Sequence, residues 1–169
     1  MDNEIDGEPH FYNVPVGWLP HLGRLTVLSS RMEEAVTVML EALGRERHSS
    51  GRTLSFTSET KLLRRFLKSP PGSLEQRLPG WAERASSWAE GARDEMNSAR
   101  HRYVHGHYFH LYVGDGRWEP VRHEPRESHQ SECVTEEVLI AAIERLRRYE
   151  LEGTQLSSDI RIEWCRGEF

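Results

Sequence analysis

The chain has 169 residues, enough for one domain with a real core, and its 37% hydrophobic and 29% charged residues exclude a disordered chain. Two cysteines are too few for a disulfide framework, and no apolar run approaches the roughly 20 residues of a membrane span. The net charge of −5 argues against a general binder of long nucleic acid, whose affinity comes from cationic surface on phosphate.

The opening residues Met1 to Asp6 are acidic and do not read as a secretory signal, so a cytoplasmic protein with no membrane contact is expected. Gly7, Pro9, Pro15 and Gly17 make residues 1–17 an irregular lead-in. Trp18, Leu22, Leu25, Ser29, Met32, Val36, Met39 and Leu43 then keep an unbroken spacing of four and three. That places one apolar stripe on a helix of roughly seven turns, with Pro20 in its first turn and Gly44 as its stop. Arg45 to Thr57 reads as a loop. A short second helix is expected to be capped by Ser58, to bury Leu62, Leu63, Phe66 and Leu67, and to end at Ser69-Pro70-Pro71-Gly72.

A third helix is predicted from Pro79, carrying Trp81, Ala85, Trp88, Ala92, Met96, Ala99 and Tyr103 on its inner face and ending at Gly106. His107 to Val113 is β-rich, Gly114-Asp115-Gly116 is a turn, and Arg117 to Arg122 returns, with Pro120 suiting an edge strand. Residues 123–133 read as a polar, mobile segment. Thr135 caps a last helix that has Glu136 and Glu137 at its positive end and buries Leu139, Ile143, Leu146 and Tyr149. Gly153 is expected to end it, leaving Asp159 to Trp164 as a short strand or extended tail. The fold expected is mainly α: an up-and-down bundle of four or five helices over 18–153, a β-hairpin insert at about 107–122, and a C-terminal extension over 154–169. The long stripes of the first and third helices predict homodimerisation.

Chemistry concentrates at the end of the third helix, in Asn97-Ser98-Ala99-Arg100-His101-Arg102-Tyr103-Val104-His105-Gly106. Five of the nine histidines fall between His101 and His123. On an α-helix Asn97, His101 and His105 form one polar row with Arg100 beside it. The planar guanidinium of Arg100 matches phosphate oxygens, and a histidine moves protons near neutral pH. RNA supplies its own nucleophile, the 2′-hydroxyl. An enzyme therefore needs only to hold the phosphate and move protons, with no metal or other cofactor.

Arg100, a polar residue at 101, three further residues and His105 resemble the Arg-x4-His signature of the HEPN superfamily. Residues 99–106 are similar to the Arg-Asn-Arg-x-Val-His-Gly form of actinobacterial-type HEPN-like proteins, with His101 where Asn is commoner. The β-rich insert and the Thr-Glu-Glu helix that follow extend the resemblance over roughly residues 80–150. It implies a helical bundle whose two subunits bring both motifs to one cleft. It also implies a metal-independent ribonuclease in which Arg100 and His105 are catalytic and His101 assists. Asn97 and Arg102 are read as substrate-binding residues, and Tyr108 either lines the cleft with them or, like His107, His110 and Tyr112, belongs to the hairpin surface. Many such proteins are toxins or defence effectors paired with a nucleotidyltransferase-type antitoxin, and others are non-catalytic modules that bind a nucleotide or a protein.

Plainer readings stand beside these. A histidine and an arginine at a helix C-terminus also suit the helix dipole alone. His101 and His105, with His107 or His110, are spaced for a metal, but no His-Glu-x-x-His pattern accompanies them. Trp81 and Trp88 lie on the apolar stripe and read as core rather than base-stacking platforms. Arg145, Arg147 and Arg148 form either a solvated face or an extension of a phosphate track.

Overall fold

The computed structural model describes residues 14–44, 54–104, 107–123 and 131–166. Most of the lead-in, much of the first loop, and the His105-Gly106 step lie outside the described residues. Five α-helices are present among those described: α1 (Leu19–Ala42), α2 (Phe56–Phe66), α3 (Gly72–Arg77), α4 (Trp81–Met96) and α5 (Glu136–Cys165). A π-helical segment, Asn97–Val104, continues α4 without a break. The strands β1 (His107–Gly114), β2 (Arg117–His123) and β3 (Ser131–Cys133) follow it. The fold is the mainly-α bundle with a hairpin before the last helix that the sequence predicts. None of the described helices is long and apolar enough to cross a membrane.

The stripe on α1 is real. Leu25, Ser29, Met32, Val36 and Met39 are buried, and Pro20 occupies the first turn. The interface between α1 and α5 is the largest between helices. His21 Nε2 lies 2.8 Å from Glu136, and Arg31 Nη1 lies 3.5 Å from Glu150. Both contacts advance in the same direction along the two helices, so α1 and α5 run parallel. The contacts of α4 run the other way. Trp81 Nε1 donates to the Leu156 carbonyl at 3.0 Å, Trp88 Nε1 to the Tyr149 carbonyl at 2.8 Å, and Arg145 Nε to Glu95 at 3.0 Å. Trp81 and Trp88 are core side chains, and each indole N–H finds the backbone partner that burial demands.

Several local expectations change. Ser55, not Ser58, caps α2, accepting from the Ser58 backbone N–H at 3.3 Å. The helix therefore starts earlier and buries Phe56, Thr60 and Leu63, while Phe66 stays exposed. The segment after Pro71 forms α3, which brings Leu74 into the core.

Gly153 does not end α5. The helix runs through it to Cys165, and Leu156 and Ile160 continue the buried face. Residues 154–165 thus belong to the bundle rather than to an extension, and Asp159 to Trp164 is helix rather than strand. Glycine is needed at 153 for closeness. A Cβ there would stand 2.4 Å from Cζ2 of Trp88. At the next contact the roles reverse, and a Cβ on Gly91 of α4 would meet the Tyr149 hydroxyl at 2.6 Å.

The insert is a three-stranded antiparallel sheet in the order β1-β2-β3. Asp115 and Gly116 form its two-residue turn, with φ of 51° and 75°, the primed geometry that matches strand twist. β3 was not expected: Ser131–Cys133 pairs with β2, so β2 is central and Pro120 is not on an edge strand. Proline is tolerated because the β2–β3 ladder covers only Val121 to His123. The Pro120 carbonyl accepts from Val134 N–H at 3.4 Å, so its missing N–H faces that same side, beyond the ladder. Thr135 caps α5 as expected, accepting from Val138 N–H at 3.4 Å. Its side chain also holds the Glu137 carboxyl below its ordinary range by hydrogen bonding, helped by that residue's own backbone N–H.

Candidate functional site

Asn97, Arg100, His101 and Arg102 sit on the π-helical segment, which packs against α1, while His105 lies outside the described residues. A π-helix bonds each N–H to the carbonyl five residues back, and such turns are rare and frequently found at functional sites. Ala99 and Tyr103 remain buried, as their stripe predicts. Asn97, His101 and Arg102 are exposed. The wider π turn re-angles the polar row expected from α winding, and His105, its third member, lies outside the described residues.

Among the described motif residues, Arg100 is the cation turned inward. Its side chain is 24% exposed and ion-paired through Nη1 to Oε1 of Glu33 on α1. Its Nε is buried and has no hydrogen-bond partner among the described residues. The guanidinium is thus fixed by one nitrogen and neutralised by one carboxylate, with its remaining donors unmatched to the bidentate partner that an arginine fork prefers. Glu33 was absent from the sequence reading. The only trace it leaves there is position: it follows Met32 and flanks the buried stripe of α1.

Tyr103 anchors the segment, and Arg102 lies over its ring with the guanidinium carbon 5.9 Å from the centroid. Tyr108 on β1 is turned inward. Its ring meets Trp18 edge-on, with centroids 6.2 Å apart and planes at 77°, and its hydroxyl donates to the Tyr103 carbonyl. Tyr108 therefore ties the sheet to the π segment and to the start of α1.

Arg145 is committed to Glu95, one turn before the motif. Together with Arg148, Tyr149 and Glu152 they line a groove of about 300 Å³ between α4 and α5. Arg147 and Arg148 are exposed. The structure brings Arg100, His101 and Arg102 into one segment with Tyr108 pressed on its backbone. Among the described residues, no group of three or more His, Cys, Asp or Glu is placed to hold a metal ion. No protein-family model matches the chain, and comparison with curated proteins and with solved structures finds no match.

Proposed function

We propose that the protein is a metal-independent endoribonuclease of HEPN type. Arg100 holds the scissile phosphate, His105 transfers a proton as general base or acid, and His101 assists. The 2′-hydroxyl attacks phosphorus and gives up its proton, and the departing 5′-oxygen takes one, leaving a cyclic phosphate and a 5′-hydroxyl. Asn97 and Arg102, both exposed, meet the flanking substrate, and Tyr108, whose hydroxyl is engaged by the Tyr103 carbonyl, braces the segment. The observation that carries this reading is the π winding of Asn97–Val104. Positions five apart, the separation of Arg100 and His105 in the sequence, lie about 140° apart on an α-helix, and the wider turn of i→i+5 winding narrows that angle.

The same reading makes the enzyme a homodimer and a toxin or defence effector, held in check by a nucleotidyltransferase-type antitoxin. The exposed Ile140, Leu151 and Ile162 of α5 support an association surface. They are eleven residues apart, about three helical turns, and form one aliphatic row. The test is incubation of untagged protein with total RNA and tRNA, with and without chelator. Cleavage that survives chelation, and that vanishes in His105→Ala and Arg100→Ala while helical circular dichroism is retained, supports the assignment. A His105→Ala variant that cuts like wild type overturns it.

One observation favours a second reading, a non-catalytic module that binds a nucleotide or a protein partner. Arg100 is already neutralised by Glu33. A protein that never cuts RNA but gains thermal stability with nucleotides would be this module.

A further inference from the structure

Arg100 is the proposed phosphate-binding group, yet its guanidinium already holds a carboxylate. Glu33 reaches it from α1, across the interface between the first long helix and the π segment. The pair is neither deeply buried nor fully solvated: the side chains are 24% and 36% exposed. An anion from solvent can therefore reach the pair, while the surrounding protein weakens the screening that makes surface pairs inconsequential. Only one guanidinium nitrogen holds Glu33, and Nε has no partner among the described residues. A single-point contact leaves the arginine short of the two-point partnership that a phosphate offers.

We propose that Glu33 is an internal counterion occupying the phosphate subsite of Arg100, and that an RNA phosphate binds by exchanging with it. The inference rests on the reading of Arg100 as a phosphate-binding residue. The consequence has a definite sign. While Glu33 is charged, an approaching phosphate meets a neutral pair and a nearby like charge. With that charge removed, the same phosphate meets an open cation. Glu33 therefore sets substrate affinity from a helix 67 positions away in sequence, and it keeps Arg100 paired when no RNA is bound.

The experiment is fluorescence anisotropy with a 2′-O-methyl oligoribonucleotide, which cannot supply the attacking hydroxyl and so reports binding alone. Glu33→Gln keeps an oxygen acceptor for Nη1 and removes only the charge. Glu33→Met, of similar length, serves if the glutamine variant does not fold. The neutral variant should bind about tenfold more tightly than wild type. The gain should disappear when Arg100→Ala is added, because the two residues act as one unit. Unchanged or weaker binding by the folded neutral variant overturns the proposal and leaves Glu33 as a positioning residue for Arg100. A natural RNA incubated in parallel separates the two ideas. Tighter binding without cleavage by either protein removes the nuclease reading and keeps the exchange. Cleavage by wild type with no gain in affinity removes the exchange and keeps the nuclease.

Discussion

The indole of Trp88 lies against the bare backbone of Gly153, and a Cβ at that glycine would sit 2.4 Å from Cζ2 of the ring. The same tryptophan donates to the Tyr149 carbonyl at 2.8 Å, one turn earlier on α5. One side chain thus sets both the spacing and the register of α4 on α5. In a solvent-exposed helix, Gly→Ala would stabilise by about 1 kcal/mol. Here Gly153→Ala should destabilise by about 2 kcal/mol or more, because the ring has to move within a packed core. Urea unfolding measures the difference, and Trp88→Phe, which lacks Cζ2, should recover part of the loss in the double variant. Gly153→Ala as stable as wild type would mean that the ring is free to shift.

The ion pair between Arg31 and Glu150 is lopsided. The carboxylate is 7% exposed and the guanidinium 61%. Removing the arginine strands a buried charge, whereas removing the carboxylate frees a solvated one. Arg31→Ala should therefore cost about 2 kcal/mol, and Glu150→Gln, which keeps an oxygen for the Thr154 hydroxyl, about 1 kcal/mol or less. Thermal denaturation of the two variants side by side gives the order, and the reverse order would show that the buried carboxylate does not depend on Arg31.

Thr135→Ala removes the cap of α5 and should lower stability by about 1 kcal/mol. Thr135 also draws the Glu137 carboxyl below its ordinary value of 4.5. A carboxyl held low in the folded state contributes stability that is fully present above that value and is lost as the pH falls through the lowered one. The gap between wild type and Thr135→Ala should therefore narrow under acid, below about pH 4.5. Titration of Glu137 by NMR in the variant should show its carboxyl returning upward, and an unmoved titration would sever the link to Thr135.

Tyr108→Phe keeps the ring against Trp18 and removes the hydroxyl that donates to the Tyr103 carbonyl. The expected cost is about 1 kcal/mol of stability, measured by urea unfolding. If Tyr108 acts only as a tie, any loss of the proposed RNA cleavage should be recovered at lower temperature. A loss that persists with the fold intact would place its hydroxyl on the substrate.

Where the sequence spoke through local pattern, the expectation stands. The four-and-three spacing of α1, the Thr135 cap and the Gly114-Asp115-Gly116 turn each depend on residues within a few positions of one another. Failures came where the reason lies far along the chain. Gly153 looks like a stop until Trp88, 65 positions earlier, is laid across it. Ser58 competes with Ser55 as a cap, and only the chain direction set by packing Phe56 decides between them. Three-residue β3 needs the edge of β2 to exist at all. At the candidate site the motif was legible as a string. Its π winding and its pairing with Glu33 were not, because nothing near Arg100 in the sequence marks a carboxylate on α1 as its partner.

The parallel pairing of α1 with α5 constrains how the chain reaches its native state. The broadest helix interface joins segments more than a hundred residues apart, so its closure comes with a large loss of chain entropy. Until α5 arrives, α1 lacks its broadest partner, and part of its apolar stripe is uncovered. A nascent chain that has emerged only as far as the β-sheet would carry that uncovered surface, and folding should be slower than for a bundle of sequential helical hairpins.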